Sequence, residues 1–501
     1  MTMTESRAAA ETVPAARRTG RWIDDWRPEE PEFWESTGRR VARRNLVWSI
    51  FAEHLGFSVW LIWSVSSAFL VSMGFSYSPQ QLFLLVALPN LVGSLLRLPY
   101  TFAVPRFGGR NWTMASAALL LIPTLGFAVA VQNPGTPYWL FCLIAATAGL
   151  GGGNFASSMA NINFFYPSDK KGAALGLNAA GGNLGVALIQ LFLPVIIGGA
   201  GIFGLVKAAE GGISLERAAY VYAGLAVAAT LAAYFFMDNL TSAQSRPREQ
   251  LAVVKEKQTW VMAFLYIGTF GSFIGYSAAM PLLIKLNFWV PDPAPLGTGI
   301  YFAYFAFLGA LVGSATRPFG GWLADKYGGA RVTLGAFAGM IVSTLAVLWT
   351  LTQLTPNPGQ SPAIADDNQS WFPWFLAFFL CVFASTGIGN GSTYKMIPAI
   401  FRTQAERATT PGTPERGAAL HAGTKKASAA IGVIGAVGAV GGFLIPIAFS
   451  SPWVDQPMEA TKGAFVVFTA FYVVCAVVTW AVFLRKPAPA KAATSLANAG
   501  I

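Results

Sequence analysis

Arg97-Leu-Pro-Tyr-Thr-Phe-Ala-Val-Pro-Arg-Phe-Gly-Gly-Arg110 and Arg317-Pro-Phe-Gly-Gly-Trp-Leu-Ala-Asp-Lys-Tyr-Gly-Gly-Ala-Arg331 decide how the 501-residue chain is read. In each stretch an arginine inside an apolar run is followed eleven residues later by a Gly-Gly pair, with a second arginine just beyond. Two further echoes come in the same order. Gly151-Gly-Gly-Asn154 resembles Gly387-Ile-Gly-Asn390, and Lys170-Lys-Gly-Ala-Ala-Leu-Gly176 resembles Lys425-Lys-Ala-Ser-Ala-Ala-Ile-Gly432. One such match could arise by chance. Three in one order argue that the chain is two halves built alike.

Apolar runs long enough to span ~30 Å of hydrocarbon recur around these motifs. Hydropathy places about twelve helices, at 47–73, 80–104, 112–131, 137–164, 171–198 and 218–237, then 258–286, 299–323, 331–353, 372–400, 426–449 and 463–484. The expected organisation is a tail (1–46), a six-helix half (47–237), a polar linker (238–257), a second six-helix half (258–484) and a closing tail (485–501). This is an all-α membrane protein. Composition agrees: 54% of residues are hydrophobic and only 11% charged, which excludes a disordered chain and argues against a large soluble enzyme. Parallel repeats of six helices are how major facilitator transporters are built, with the site near midplane between the halves.

The formal net charge of +11 would otherwise suggest nucleic acid or anionic lipid as a partner. Sorting the 34 Lys+Arg by the side on which their loop falls removes that reading. Twenty-seven lie on the side of the two tails, and only Lys207, Arg217, Lys285 and Lys462 lie opposite. By the positive-inside rule both termini are expected in the cytoplasm of a multi-pass inner-membrane protein in the lipid bilayer, and no nucleic acid is called for. No cleavable secretory signal is visible in the first 46 residues. Cys142, Cys381 and Cys475 lie in apolar runs with no CxxC spacing, so neither a metal site nor a disulfide framework is expected, and no cofactor.

Three cations remain, Arg97, Arg317 and Lys395, each inside an apolar span. A fixed cation at mid-membrane costs ~2.5–3.5 kcal/mol, and arginine cannot shed its proton to escape. Glu53 is the only acidic residue well inside a span, too little to neutralise two arginines. One arginine per half, facing a shared cavity, makes a site where two guanidinium forks converge on a small monovalent anion. Lys395, Glu53 and His54 are the titratable candidates for coupling transport to a proton. The glycines of spans five and eleven, Gly176, Gly181, Gly182, Gly185, Gly432, Gly435, Gly438, Gly441 and Gly442, are expected to pack closely across the moving interface of the halves. Gly151-Gly152-Gly153-Asn154 lacks a following GK[ST] and is no phosphate loop. Asn154, Asn178, Asn183 and Asn390 are either interhelical hydrogen bonds or ligands. Phe155, Tyr266 and Phe270 could sandwich a flat anion.

At Gly151-Gly-Gly-Asn-Phe-Ala-Ser-Ser-Met-Ala-Asn-Ile-Asn-Phe-Phe-Tyr-Pro167 and Gly387-Ile-Gly-Asn-Gly-Ser-Thr-Tyr-Lys-Met-Ile-Pro398 the chain resembles the nitrate/nitrite porter family of the major facilitator superfamily. Trp22–Trp34, Leu96–Tyr100 and Leu265–Gly275 carry the likeness further, over about residues 20–485. The resemblance implies that Arg97 and Arg317 bind nitrate or nitrite, that Phe155 and Phe270 flank the anion, and that Asn183 and Tyr266 are hydrogen-bonding neighbours. Gly153, Asn154, Gly389, Asn390 and Ser392 belong to the signature stretches, as packing or gating positions. Lys395, where the family is expected to carry glutamine, and an expected long loop from Arg402 to Lys426 depart from the pattern. The expected activity is exchange of nitrate for nitrite by alternating access, by a monomer. Proton-coupled nitrate uptake is the alternative, and an anion channel or a membrane transferase the distant ones.

Overall fold

The computed structural model describes residues 21–210, 212–244, 252–290, 297–356, 361–451, 456–485, 496 and 501. Eleven helices among them are long and apolar enough to cross a membrane. The first half holds Pro31–Met73, Pro79–Phe107, Gly109–Val131, Tyr138–Phe165, Ser168–Ile196 and Glu216–Phe236. The second holds Lys257–Phe288, Gly329–Gln353, Phe372–Arg407, Glu415–Phe449 and Pro457–Leu484. The twelfth position, span eight, is the helix Ala306–Tyr327, less apolar because it carries Arg317, Asp325 and Lys326. The fold is that of a major facilitator, two six-helix halves. The membrane face reached by the chain ends is called the terminal face below, and the other the distal face. Arg7, Arg17, Arg18, Arg246, Arg248, Lys486 and Lys491, counted above on the terminal side, lie outside the described residues.

The repeat read from the sequence has the same backbone solution in both halves. Spans two and eight end at Gly108 and Gly328, both at φ 90°. A side chain is strained there, and glycine lets the chain reverse at once into the next span. Arg97 and Arg317 therefore each stand ten residues inside the last helical residue, Phe107 and Tyr327. At 1.5 Å per residue that is roughly 15 Å, about half of a hydrocarbon core.

Three expectations change. Span one begins at Pro31 rather than 47, running through a π-turn at Trp34–Gly38, so part of the expected tail is helix. Arg402 to Lys426 is not a long loop. Helices Phe372–Arg407 and Pro414–Ala439 take up all but residues 408–413, and Arg402 pairs with Glu406 one turn on at 2.9 Å. Most glycines of span five also do not meet the opposite half: Gly182 lies against Glu53, and Gly181 against Ile50, both on span one. Span eleven divides the work. Gly432 faces Thr101 of the first half, whereas Gly441 meets the backbone of Gly271 within its own half.

A Cβ at Gly441 would stand 2.7 Å from the Gly271 Cα, backbone against backbone with nothing flexible to yield. Gly441→Val is expected to overpack this crossing, at about 1–3 kcal/mol, and to lower the unfolding temperature in detergent. Gly335→Val, where nothing lies within 4 Å, is expected to leave it unchanged or raise it. Equal melting temperatures for the two variants would show that the crossing is not tight.

Candidate substrate-binding site

The site is built where spans two and eight bring Arg97 and Arg317 to mid-membrane. Arg97 is fully buried and Arg317 nearly so. Span four is interrupted at Gly153. The Ala156 N–H donates to Gly153 instead of Gly152, and the released Gly152 carbonyl accepts Arg97 Nε at 3.1 Å. Arg97 Nη1 reaches across to the second half and donates to the Gly435 carbonyl at 3.0 Å. Among the described residues its Nη2 has no protein partner, and neither Nη1 nor Nη2 of Arg317 has one. Gly153 itself packs on the Tyr100 ring, which would clash with any Cβ.

Aromatic rings hold the guanidinium groups in place. The Arg97 guanidinium carbon lies 4.8 Å from the Phe155 ring centre, 4.7 Å from that of Phe270 and 5.3 Å from that of Trp60. Arg317 lies 5.6 Å from Phe155 and 5.6 Å from Tyr394. Phe155 thus touches both arginines, so they lie no farther apart than those two distances together. Phe155 and Phe270 stack at 6.0 Å with planes 24° apart, and Tyr266 stacks on Phe270 at 5.3 Å. Phe270 is aimed by a π-turn, Ile267–Gly271, inside span seven. Such turns are frequent at functional positions. Ring faces favour the cations but satisfy none of their N–H groups.

Several buried polar atoms of the site candidates are short of partners. The Tyr266 and Tyr394 hydroxyls, Glu53 Oε1, and both amide atoms of Asn154 and of Asn183 are buried without a hydrogen bond among the described residues. Each such group costs about 1–3 kcal/mol unless something supplies the missing partner. Glu53 Oε2 accepts from Asn178 Nδ2 at 2.6 Å, and Asn178 also holds Ser158 at 2.6 Å. Both arginines lie within electrostatic reach of Glu53.

The remaining candidates separate. Asn183 is buried on span five and hydrogen-bonds to neither arginine. Asn390 is buried with its Oδ1 unpartnered. Gly389 packs against Thr269 and Ala336. Ser392 is occupied as a helix contact, 2.7 Å from Thr333 Oγ1. His54 turns to the backbone of span five, with Nδ1 3.1 Å from the Gly181 carbonyl. Lys395 corrects the expectation of a costly buried cation: it is half-exposed and pairs with Asp325 at 2.8 Å. Trp60 and Tyr394, which touch the guanidinium groups, were passed over in the sequence. Trp60 is one of 16 tryptophans, and Tyr394 stands next to the more conspicuous Lys395.

Residues 54–446 match the Major Facilitator Superfamily. The chain is 42% identical over 472 residues to the nitrate/nitrite transporter NarU of Escherichia coli, covering 93% of this chain and 96% of the relative. The chain belongs to the nitrate/nitrite porter family of the major facilitator superfamily. Another family member, named "Probable nitrate/nitrite antiporter NarK2" of Thermus thermophilus, is 38% identical over 76% of this chain and 83% of its own. The E. coli xylose transporter XylE in a partially occluded inward-open conformation superposes with a TM-score of 0.57 at 13% identity, over 88% of this chain and 98% of its own. That likeness shows the family's fold alone. Members of the superfamily are transporters, and this chain is one in architecture.

Arg97→Lys and Arg317→Lys each keep the charge and lose the planar fork. Losing one charge-assisted hydrogen bond of about 1.5–3 kcal/mol is expected to lower uptake in reconstituted vesicles about tenfold or more. Near-normal uptake by either variant would remove that arginine from the site.

Proposed function

We propose that this protein carries nitrate and nitrite across the inner membrane, exchanging one for the other by alternating access, with both termini in the cytoplasm. One observation carries the reading. Two mid-membrane guanidinium groups, three of whose terminal nitrogens lack protein partners, face a single buried carboxylate among the spans of the described residues. With Glu53 ionised the centre keeps one unit of positive charge. A monovalent oxyanion neutralises it and supplies acceptors to the idle donors. A flat ion also fits beside the Phe155 and Phe270 faces. The names of the E. coli and Thermus relatives support this substrate class, and the second supports exchange.

Exchange follows from the same charge balance. The halves close over the centre most readily when it is occupied, so the return stroke needs a second anion. A specific observation keeps proton-coupled uptake as the alternative. His54 is committed to a backbone carbonyl and Lys395 to Asp325, but Glu53 Oε1 is unpartnered beside the arginines and could take a proton.

Vesicles loaded with nitrite and a pH dye distinguish the two modes. Exchange is expected to show nitrate entry strongly stimulated by internal nitrite, with little acidification. Acidification of vesicles holding neither anion would replace exchange with proton symport. Absence of nitrate and nitrite movement in every arrangement would remove the substrate assignment.

A further inference from the structure

Tyr394 stands between Arg317 and a small cavity at the interface of the halves. Its ring lies 5.6 Å from the Arg317 guanidinium carbon. Its hydroxyl oxygen is buried and has no protein partner among the described residues. It also lines a cavity of about 20 Å³ between the halves, walled by Thr101, Met159 and Asn163 on one side and by Ser428 and Gly432 on the other. That is room for about one water-sized occupant. The two ends of the interface differ. On the distal side Ser64 donates to the Ala278 carbonyl at 2.8 Å, Gln190 to the Ser277 carbonyl at 2.6 Å, and Lys285 to the Ala68 carbonyl. On the terminal side the bond between the halves runs through the cavity wall itself, where Asn163 donates to Ser428 at 3.0 Å.

Resting on the nitrate/nitrite reading, we infer that the Tyr394 hydroxyl is a substrate contact that distinguishes nitrate from nitrite as the anion passes between the arginines and the terminal-side cavity. The chemistry of the two ions makes the distinction. Two guanidinium forks can fully engage the two oxygens of nitrite. Nitrate is planar with a third oxygen, which then needs its own donor. A phenol with a buried hydroxyl and a ring already leaning on Arg317 is placed to give that donor, and among the described residues the hydroxyl bonds nothing else. Of the polar side chains in the cavity wall, Thr101 already donates to the Arg97 carbonyl and Asn163 to Ser428, while Met159 and Gly432 carry no side-chain donor. The competing explanation is that Tyr394 serves only as a ring packed on Arg317. In that case the oxygen is idle in transport.

Tyr394→Phe removes one oxygen and keeps the ring, so folding and the ring contact with Arg317 are preserved. Initial rates of nitrate and of nitrite entry are measured in vesicles loaded with the other anion, for wild type and Tyr394→Phe. Loss of a hydrogen bond to an ion predicts a KM for nitrate raised about tenfold, a KM for nitrite changed less than about twofold, and kcat for nitrite unchanged. Equal changes for both anions, or none for either, would overturn the assignment while leaving the transport reading intact. A wild type that moves neither anion would overturn the transport reading and this inference with it. Tyr266→Phe, measured in parallel, tests the other unpartnered phenol of the site. If it alone produces the nitrate-selective loss, the third-oxygen contact belongs to Tyr266 and the Tyr394 assignment falls.

Discussion

Two arginines that cannot be neutralised are held at the middle of a hydrocarbon slab, and the structure is arranged around that burden. Each costs ~2.5–3.5 kcal/mol to place there. The protein offsets part of the cost with groups that do not compete for the anion. Three aromatic rings surround Arg97, and the carbonyls of Gly152 and Gly435 take two of its donors. Glu53, held by Asn178, is the buried carboxylate within electrostatic reach of both arginines. The outward ends of the guanidinium forks are left over, and they are what an oxyanion needs.

The same arrangement explains why the interior is both glycine-rich and interrupted. Gly153 admits the Tyr100 ring, and the helix break beside it frees the carbonyl that orients Arg97. The π-turn in span seven aims Phe270 at the same guanidinium. Arg97 joins the halves by donating to Gly435, so the group that would bind substrate is also part of the contact that must change as the halves move. A site made from both halves couples occupancy to closure without a separate transmitting element.

Several features were legible before any coordinates. Arg97 and Arg317 stand out because charge inside an apolar run is rare and expensive, and their equal spacing from Gly-Gly pairs revealed the repeat. Phe155, Tyr266 and Phe270 stood out by their place beside the Gly-Asn motif and at the start of span seven, and the family likeness implied roles for them; Phe155 and Phe270 lie against the Arg97 guanidinium and Tyr266 stacks on Phe270. Lys395 misled because a span's hydropathy does not say where along it a side chain escapes the membrane, nor that Asp325, 70 residues away, waits to pair with it. The stretch from Arg402 to Lys426 read as loop because it is polar. It instead continues two helices, with Arg402 and Glu406 paired one turn apart.

The sequence by itself determined that this is a two-half membrane protein of about twelve helices, with one buried arginine per half and too few carboxylates to balance them. Composition, charge placement and repeat spacing are properties of the chain and survive any folding detail. Only the tertiary structure decided which groups those arginines touch. The carbonyls of Gly152 and Gly435 are backbone atoms that every residue carries, and Trp60 and Tyr394 differ from other aromatics only in where helix crossings put them. Selecting a few idle donors from hundreds of polar atoms takes three-dimensional packing, because a hydrogen bond left unmade is a fact about neighbours and not about residue type.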